Sequence, residues 1–169
     1  MSFISLFPSF SIFVLFLFVV VIFLHLLFVK KTKLFINFVA LYISFALVII
    51  LPLFIPQVAT WLATYYWVRA VAFLGLYILL GFVFHFSNLN DFSSRVAPTS
   101  FVLSLVYRIG VVGLIFTTVL YFLPGTYLSQ LGLLTRAVFG TFTALICWFF
   151  VPIILAFAYR FKTRRGWIE

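Results

Sequence analysis

The sequence predicts an all-α protein, a polytopic transmembrane helical bundle with about five spans. Hydrophobic residues make up 67% of the 169 residues and charged residues only 8%, a balance that does not suit a water-soluble domain. Apolar runs of about 20 residues recur, and a bilayer core about 30 Å thick needs helices of that length. The runs are continuous and lack the alternation of polar and apolar residues that a membrane β-barrel requires. We therefore expect residues 1–169 to form a single integral membrane domain.

The first two predicted spans lie in the N-terminal third of the chain. Residues 10–29 form an apolar run longer than the roughly 7–15 residues of a signal-peptide core, so we expect this helix to be retained in the mature protein. Its histidine, His25, is expected to be neutral and unpaired near the membrane surface. The second span covers residues 34–55, and Pro52 and Pro56 are expected to end it, because proline lacks the backbone N–H that a helix interior uses.

Two connections of different composition flank the third span, residues 67–86. Residues 57–66 are uncharged and rich in Trp and Tyr, which prefer the headgroup zone and mark a membrane surface. Residues 87–98 are polar, and their Ser, Asn and Asp side chains predict turns and helix caps in water. The fourth span, residues 101–123, follows and is closed by a Pro-Gly pair.

The fifth predicted span covers residues 137–159 and contains Pro152, which we expect to kink the helix. Before it, apolar residues between positions 127 and 134 have the spacing of a short helix on the membrane surface. The sequence leaves open whether residues 57–66 and 125–135 form interfacial helices or re-entrant segments.

The basic residues favour one orientation of the five helices. Two clusters lie directly at the ends of apolar runs, where basic residues act as topology signals and contact anionic headgroups. They comprise Lys30, Lys31, Lys33, Arg160, Lys162, Arg164 and Arg165. With five spans, eight of the eleven basic residues lie on the side of the C-terminal tail, residues 160–169, against Arg69 and Arg136 on the other. Positive charge marks the inner side, so we predict an N-out, C-in topology with a cytoplasmic tail.

A short internal similarity suggests a repeat. The second span ends in Phe-Ile-Pro and is followed by Arg69-Ala-Val; the fourth ends in Phe-Leu-Pro and is followed by Arg136-Ala-Val at almost the same distance. Our hypothesis is that spans two and three and spans four and five form a parallel repeat, an architecture known from transporters.

Arg108 is the charged residue inside a span, which makes it a functional candidate by default. It lies about 10 Å inside the fourth span, and a long arginine can extend its guanidinium most of that way to the headgroups. We expect it to contact lipid phosphate, Ser104 one turn earlier, or the loop that carries Asp91, as an anchor. A role in the passage of ions or substrates is the alternative.

Glycines predict where helices approach one another closely. Gly110 and Gly113 share one face of the fourth span, close to opposite the side of Arg108, and we expect this face to receive a neighbouring helix. Gly75 and Gly81 in the third span could play the same part.

The residues that catalysis and metal binding need are scarce. Only two acidic residues and one cysteine, Cys147, are present. We find no paired carboxylates for acid–base work, no histidine and carboxylate spacing for a metal and no glycine-rich phosphate loop. We therefore expect no enzymatic activity and no cofactor. The net charge of +9 lies largely at helix ends, so the expected partners are the lipid bilayer and membrane chains, other chains or further copies, and not nucleic acid.

Several stretches from Lys30 onward are similar to one known family. They are KKTKLFINFVALYISFALVIILPLFIPQVA, VRAVAFLGLYILLGFVF, a polar inner loop and FVLSLVYRIGVVGLIFTTVLYFLP, in which small residues and an arginine precede a glycine. Here the chain resembles the colicin V production protein (CvpA) family of bacterial inner-membrane proteins. It departs from the family at Lys30–Lys33, which lack flanking glycines, and at Arg108 and Gly110, which one residue separates. The resemblance implies a small inner-membrane protein linked to export and envelope upkeep, and it transfers no catalytic residue.

Three functions remain open at this point. The leading expectation is a non-enzymatic scaffold or accessory subunit of an envelope or secretion assembly, because the spans are poor in polar groups and carry glycine faces. The second is a small homo-oligomeric channel or transporter, in which Arg108, Ser104, Thr117 and Thr118 would line a wet path. The third is an accessory subunit of a membrane respiratory complex.

Overall fold

The computed structural model describes residues 10–98 and 100–160, and over these residues the regular structure is helical throughout. The helices are α1 (Phe10–Phe28), α2 (Leu34–Phe54), α3 (Pro56–Thr64), α4 (Tyr66–His85), α5 (Leu89–Arg95), α6 (Phe101–Phe122), α7 (Gly125–Leu128), α8 (Leu133–Phe139) and α9 (Phe142–Arg160). A 3-10 turn at Lys31–Lys33 leads directly into α2. The predicted all-α class is confirmed over the described part of the chain.

Within residues 10–98 and 100–160, four helical segments are long and apolar enough to cross a membrane. They are Phe10–Phe28, Lys31–Phe54, Trp67–His85 and Phe101–Phe122. A fifth span results if Leu133–Phe139 and Phe142–Leu155, which meet at an angle of 51°, cross as one bent unit. The structure thus has four or five candidate spans, as expected of an integral membrane protein.

Helix α6 lies at the centre of the bundle. It packs against α1, α2, α4, α8 and α9. In the most apolar 18-residue stretch of α6, 56% of the residues are buried, whereas the corresponding share in α1 is 6%. On one side Val111 and Leu114 of α6 pack with Leu41 of α2 and Phe73 of α4. On another side, α6 and α8 form a second apolar cluster with α1. Its buried members are Val14, Leu120, Leu131 and Phe139.

The second span ends within one residue of the predicted position, but Pro52 does not end it. Helix α2 continues through Pro52 and ends at Phe54, while Ile55 adopts an extended conformation. Pro52 lies in the last turn, where its missing N–H removes only one intrahelical hydrogen bond. Pro56 stands at the first position of α3, which suits a residue with a fixed φ and no N–H to satisfy. The connection over residues 57–66 is therefore largely helical.

The fifth span also differs from the prediction. It has an interruption at Gly140 and Thr141 that the sequence did not predict; α9 continues as a helix through Pro152, where the kink stays a prediction. The Thr141 hydroxyl accepts a hydrogen bond from the Ala144 N–H at 3.1 Å and so caps α9. Nor is there one surface helix over residues 127–134, because α7 ends at Leu128 and α8 begins only after Gly132.

The polar segment after α4 folds back onto the start of α2. The Ser93 hydroxyl donates to the Thr32 carbonyl, and the Lys33 ammonium donates to the Asn90 side chain. The Phe35 and Phe92 rings meet edge to face with centroids 5.2 Å apart. Where turns were expected, the segment thus contains the short helix α5, which packs against the 3-10 turn at Lys31–Lys33 and the start of α2.

Candidate functional site

A buried polar cluster joins three helices inside the apolar bundle. It consists of His25 on α1, Asn37 on α2, and Ser104 and Arg108 on α6. Arg108 is only 5% exposed and His25 only 8%. Polar groups at such depth are costly unless they bond to one another, and each member of this cluster does so.

Arg108 binds the last turn of α1. Its Nη1 donates to the His25 backbone carbonyl and lies 3.4 Å from His25 Nδ1, and its Nε lies 3.4 Å from the Ser104 hydroxyl. This corrects the expectation that the guanidinium extends to lipid phosphate, although the expected contact with Ser104 is present. The reason is that α1 packs over this side of α6, so the side chain meets a helix before it meets lipid.

His25 is likewise held on two sides, not unpaired as the sequence suggested. Its Nδ1 faces Arg108 and its Nε2 lies 3.4 Å from the Asn37 side-chain nitrogen. The pairing joins positions 83 residues apart and depends on how α1 turns against α6. Local sequence patterns carry no such information. The available signal was that His25 lies near the C-terminal end of α1 and Arg108 in the N-terminal half of α6, which an antiparallel packing brings to the same side.

Among the residues that the structure describes, the groups that contact the Arg108 guanidinium are the His25 carbonyl, the His25 ring and the Ser104 hydroxyl, and none of them is a carboxylate. The C-terminal end of a helix carries a partial negative charge from its unpaired carbonyls, and a cation is favourable there. Arg108 occupies that position relative to α1, although it belongs to another helix. The sequence also named the loop of Asp91 as a partner; the Asp91 side chain lies outside the described residues.

The four glycines named from the sequence have different surroundings. A Cβ at Gly113 would lie 2.2 Å from the Trp148 ring, and one at Gly110 would lie 3.0 Å from Val151, so α9 approaches α6 closely at both positions. A Cβ at Gly81 would reach the Asn37 side chain at 4.0 Å, whereas one at Gly75 would meet nothing within 4 Å. Close approach therefore occurs along α6.

Trp148 is the central residue that sequence reasoning missed. Its indole N–H donates to the Val138 carbonyl at 2.8 Å, which satisfies an acceptor that the break in the helix leaves free. Its ring stacks on Phe139 at 5.9 Å, with planes 5° apart, and covers Gly113. The pair Gly140-Thr141, a helix-ending residue followed by a helix-capping residue, was the signal in the sequence.

The side chains proposed to line a wet path do not share one face. Thr117 is fully buried and bonds back to the Gly113 carbonyl at 2.9 Å, on the side that faces α9. Thr118 is also fully buried, and its hydroxyl has no partner among the described residues. Arg108 and Ser104 instead face α1.

The basic residues predicted as topology signals and headgroup contacts differ in their exposure and contacts. Lys30 and Lys31 are exposed at the end of α1, whereas Lys33 is half-buried and bonded to Asn90. In the tail, the Arg160 side chain lies outside the described residues. So do three further members of the cluster, Lys162, Arg164 and Arg165.

Among the described residues no group of three or more His, Cys, Asp or Glu side chains could hold a metal ion. Cys147 is exposed on α9 as a free thiol. A scan against models of protein families, a search of curated proteins and a search of solved structures returned no match for this chain.

Proposed function

We propose that this chain is a non-enzymatic scaffold or accessory subunit of a membrane assembly. The observation that supports this most is the use of its intramembrane polar groups. Arg108, His25, Asn37 and Ser104 bond to each other and connect three helices. Polar groups used in this way stabilise a fixed arrangement of helices, whereas transport needs groups that exchange partners with a substrate.

The outer surface of the bundle fits the same role. Large apolar side chains stand exposed along α1 and α4, including Phe23, which is 58% exposed, and Phe82, which is 65% exposed. Such faces contact lipid or the helices of other membrane chains. We propose five spans in an N-out, C-in topology, with the bent α8–α9 pair as the fifth. The resemblance in sequence supports a bacterial inner-membrane location and an envelope or secretion assembly.

Native mass spectrometry of the tagged chain in mild detergent tests this function. We expect complexes that contain other protein chains in fixed ratio, which would then be identified. Complexes made only of multiples of 19.5 kDa would contradict an accessory role and favour the homo-oligomeric channel or transporter.

Flux measurements separate the two functions further. If the scaffold proposal is right, Arg108→Leu changes insertion or stability and no specific flux depends on it. Altered flux through a variant that assembles normally would support the channel.

A further inference from the structure

The contact between His25 and Arg108 depends on the protonation state of the His25 ring. Both ring nitrogens of His25 face nitrogen atoms that carry hydrogen: Nδ1 faces Arg108 Nη1 and Nε2 faces Asn37 Nδ2, each at 3.4 Å. A neutral imidazole has one nitrogen that accepts and one that donates. Because arginine can only donate, Nδ1 must be the acceptor, and the Nε2–H then bonds to the amide oxygen of Asn37 in its alternative orientation.

Protonation of His25 removes one of the two acceptors on α1 that Arg108 uses, the ring Nδ1, while the His25 backbone carbonyl remains. Nδ1 would then carry a hydrogen, and a positive ring would stand against the guanidinium. From α6 the ring faces Arg108, and from α2 it faces the neutral Asn37. Lys30 is exposed beyond the end of α1, and Lys33 bonds to Asn90. Among the described contacts of the ring there is thus no carboxylate to stabilise an imidazolium.

The inner end of α1 depends on this contact. Val14 and His25 are the only buried residues of α1. The outer half is held separately, by the Ser11 hydroxyl, which accepts from the Gly132 N–H, and by the Phe18 ring, which packs at 4.9 Å on Phe139. Among the described hydrogen bonds and ring contacts, the inner half is attached to other helices through His25, which contacts Arg108 of α6 and Asn37 of α2.

We propose that acidification releases the inner end of α1 from α6 while the outer end stays attached. The attached form needs a neutral His25 and the released form accepts a proton, so by linkage a fall in pH favours release. The chain would in this way present Arg108 and the groove beneath α1 in response to protons. This inference does not depend on which assembly the protein serves.

Distances between spin labels in the full chain, reconstituted in lipid nanodiscs, test the proposal. Labels are placed on Phe28→Cys and Phe101→Cys, at positions 79% and 69% exposed, in a Cys147→Ser background. Lowering the pH from about 8 to about 4.5, across the range where histidines titrate, should add a population with the labels roughly 5 Å or more further apart. A second pair, on Phe86→Cys and Phe101→Cys, should keep its distance.

Two variants identify the responsible group. His25→Gln cannot be protonated in this range and should abolish the response, whereas His85→Gln, which alters the exposed histidine of α4, should leave it intact. The proposal is overturned if the unsubstituted cluster shows no change between the two pH values, a result that needs no variant to fold. It is also overturned if His25→Gln responds as strongly as the parent, or if both label pairs lengthen together.

Discussion

The two helical hairpins α2–α3–α4 and α6–α7–α8–α9 share a short sequence similarity but pack differently. In the first, one nine-residue helix joins two long helices, and α4 continues unbroken from Tyr66 to His85. In the second, the connection contains two short helices, and the returning span is broken at Gly140 and Thr141. Arg69 lies in α4, after the extended residue Tyr65 that separates α3 from α4. Arg136 lies in α8, before the break at Gly140 and Thr141. The segments between the matched prolines and arginines therefore follow different courses, and the repeat remains a hypothesis.

The difference shows what makes a glycine a packing site. Gly113 lies on α6 under the ring of Trp148, and Gly75 lies on α4 with open space before it. Glycine permits close approach, but a large side chain on the partner helix has to use the space. The break in the second hairpin allows this, because Trp148 bonds to the end of α8 while its ring lies on α6. The second hairpin thus contributes α6, the central helix of the bundle, together with the helix that approaches it most closely.

The largest effect is expected from Gly113→Leu. A Cβ there would lie 2.2 Å from the Trp148 ring, so α6 and α9 must separate. Overpacking of this kind costs about 1–3 kcal/mol or more, and we expect loss of the folded species in mild detergent. Size-exclusion profiles and thermal unfolding measure it. The matched control is Gly75→Leu, which should behave like the parent; equal damage from both variants would refute the contrast between the hairpins.

Arg108→Leu should have the next largest effect. The change leaves the His25 ring and the Ser104 hydroxyl without their buried partner, at an expected cost of about 1–3 kcal/mol in the free energy of unfolding. Titration with a denaturing detergent measures the loss. Arg69→Leu alters the exposed arginine of the first hairpin and should change stability by less than about 0.5 kcal/mol. An unchanged midpoint for Arg108→Leu would argue that the cluster does not hold α1.

Trp148→Phe should destabilise the chain by about 1 kcal/mol or more, because the smaller phenyl ring lacks the indole N–H that bonds to the Val138 carbonyl. Trp67→Phe, at a position 51% exposed, serves as the control. The thermal midpoints of the two variants are compared in the same detergent. Greater sensitivity at Trp67 would place the critical indole in the first hairpin instead.

Thr141→Ala should have the smallest effect, about 1 kcal/mol or less, through loss of the cap on α9. Thr143→Ala changes an exposed threonine two positions later and should have no effect. Hydrogen exchange at the amides of Phe142 to Ala144 measures the cap directly. Protection that survives in Thr141→Ala would show that the break is held by Trp148 alone.

The sequence predicts where the long helices begin and end, but it does not predict which side chains of different helices meet. The bounds of α1, α4 and α6 lie within about one residue of the predicted spans, because an apolar run of sufficient length has few alternatives in a membrane. The break at Gly140 and Thr141 in the last span was not predicted, because glycine and threonine also occur inside membrane helices. Pro152 is buried inside a continuous helix, whereas Gly140 ends one.

The cluster around Arg108 could be anticipated only in part. Ser104 was named because it lies one turn away on the same helix, and that spacing is fixed by helix geometry. His25 and Asn37 were not named as partners because they lie on other helices, and their approach depends on the rotation of α1 and α2 about their axes. A single sequence does not specify such rotations when nearly every residue of a helix is apolar.

The way α1 is attached has a consequence for how the protein is made. Two hydrogen-bonding partners of α1 stand far later in the chain, Arg108 83 positions after His25 and Gly132 121 positions after Ser11, whereas Asn37 follows His25 by only 12 positions. A ribosome therefore delivers α1 to the membrane long before Arg108 and Gly132 have been synthesised, and α1 must at first reside in the lipid without these two contacts. Its mean hydropathy of 3.0 is the highest of the four single-helix spans and suits insertion without help. The helix that is least enclosed in the finished bundle is thus the one able to enter the bilayer unaccompanied.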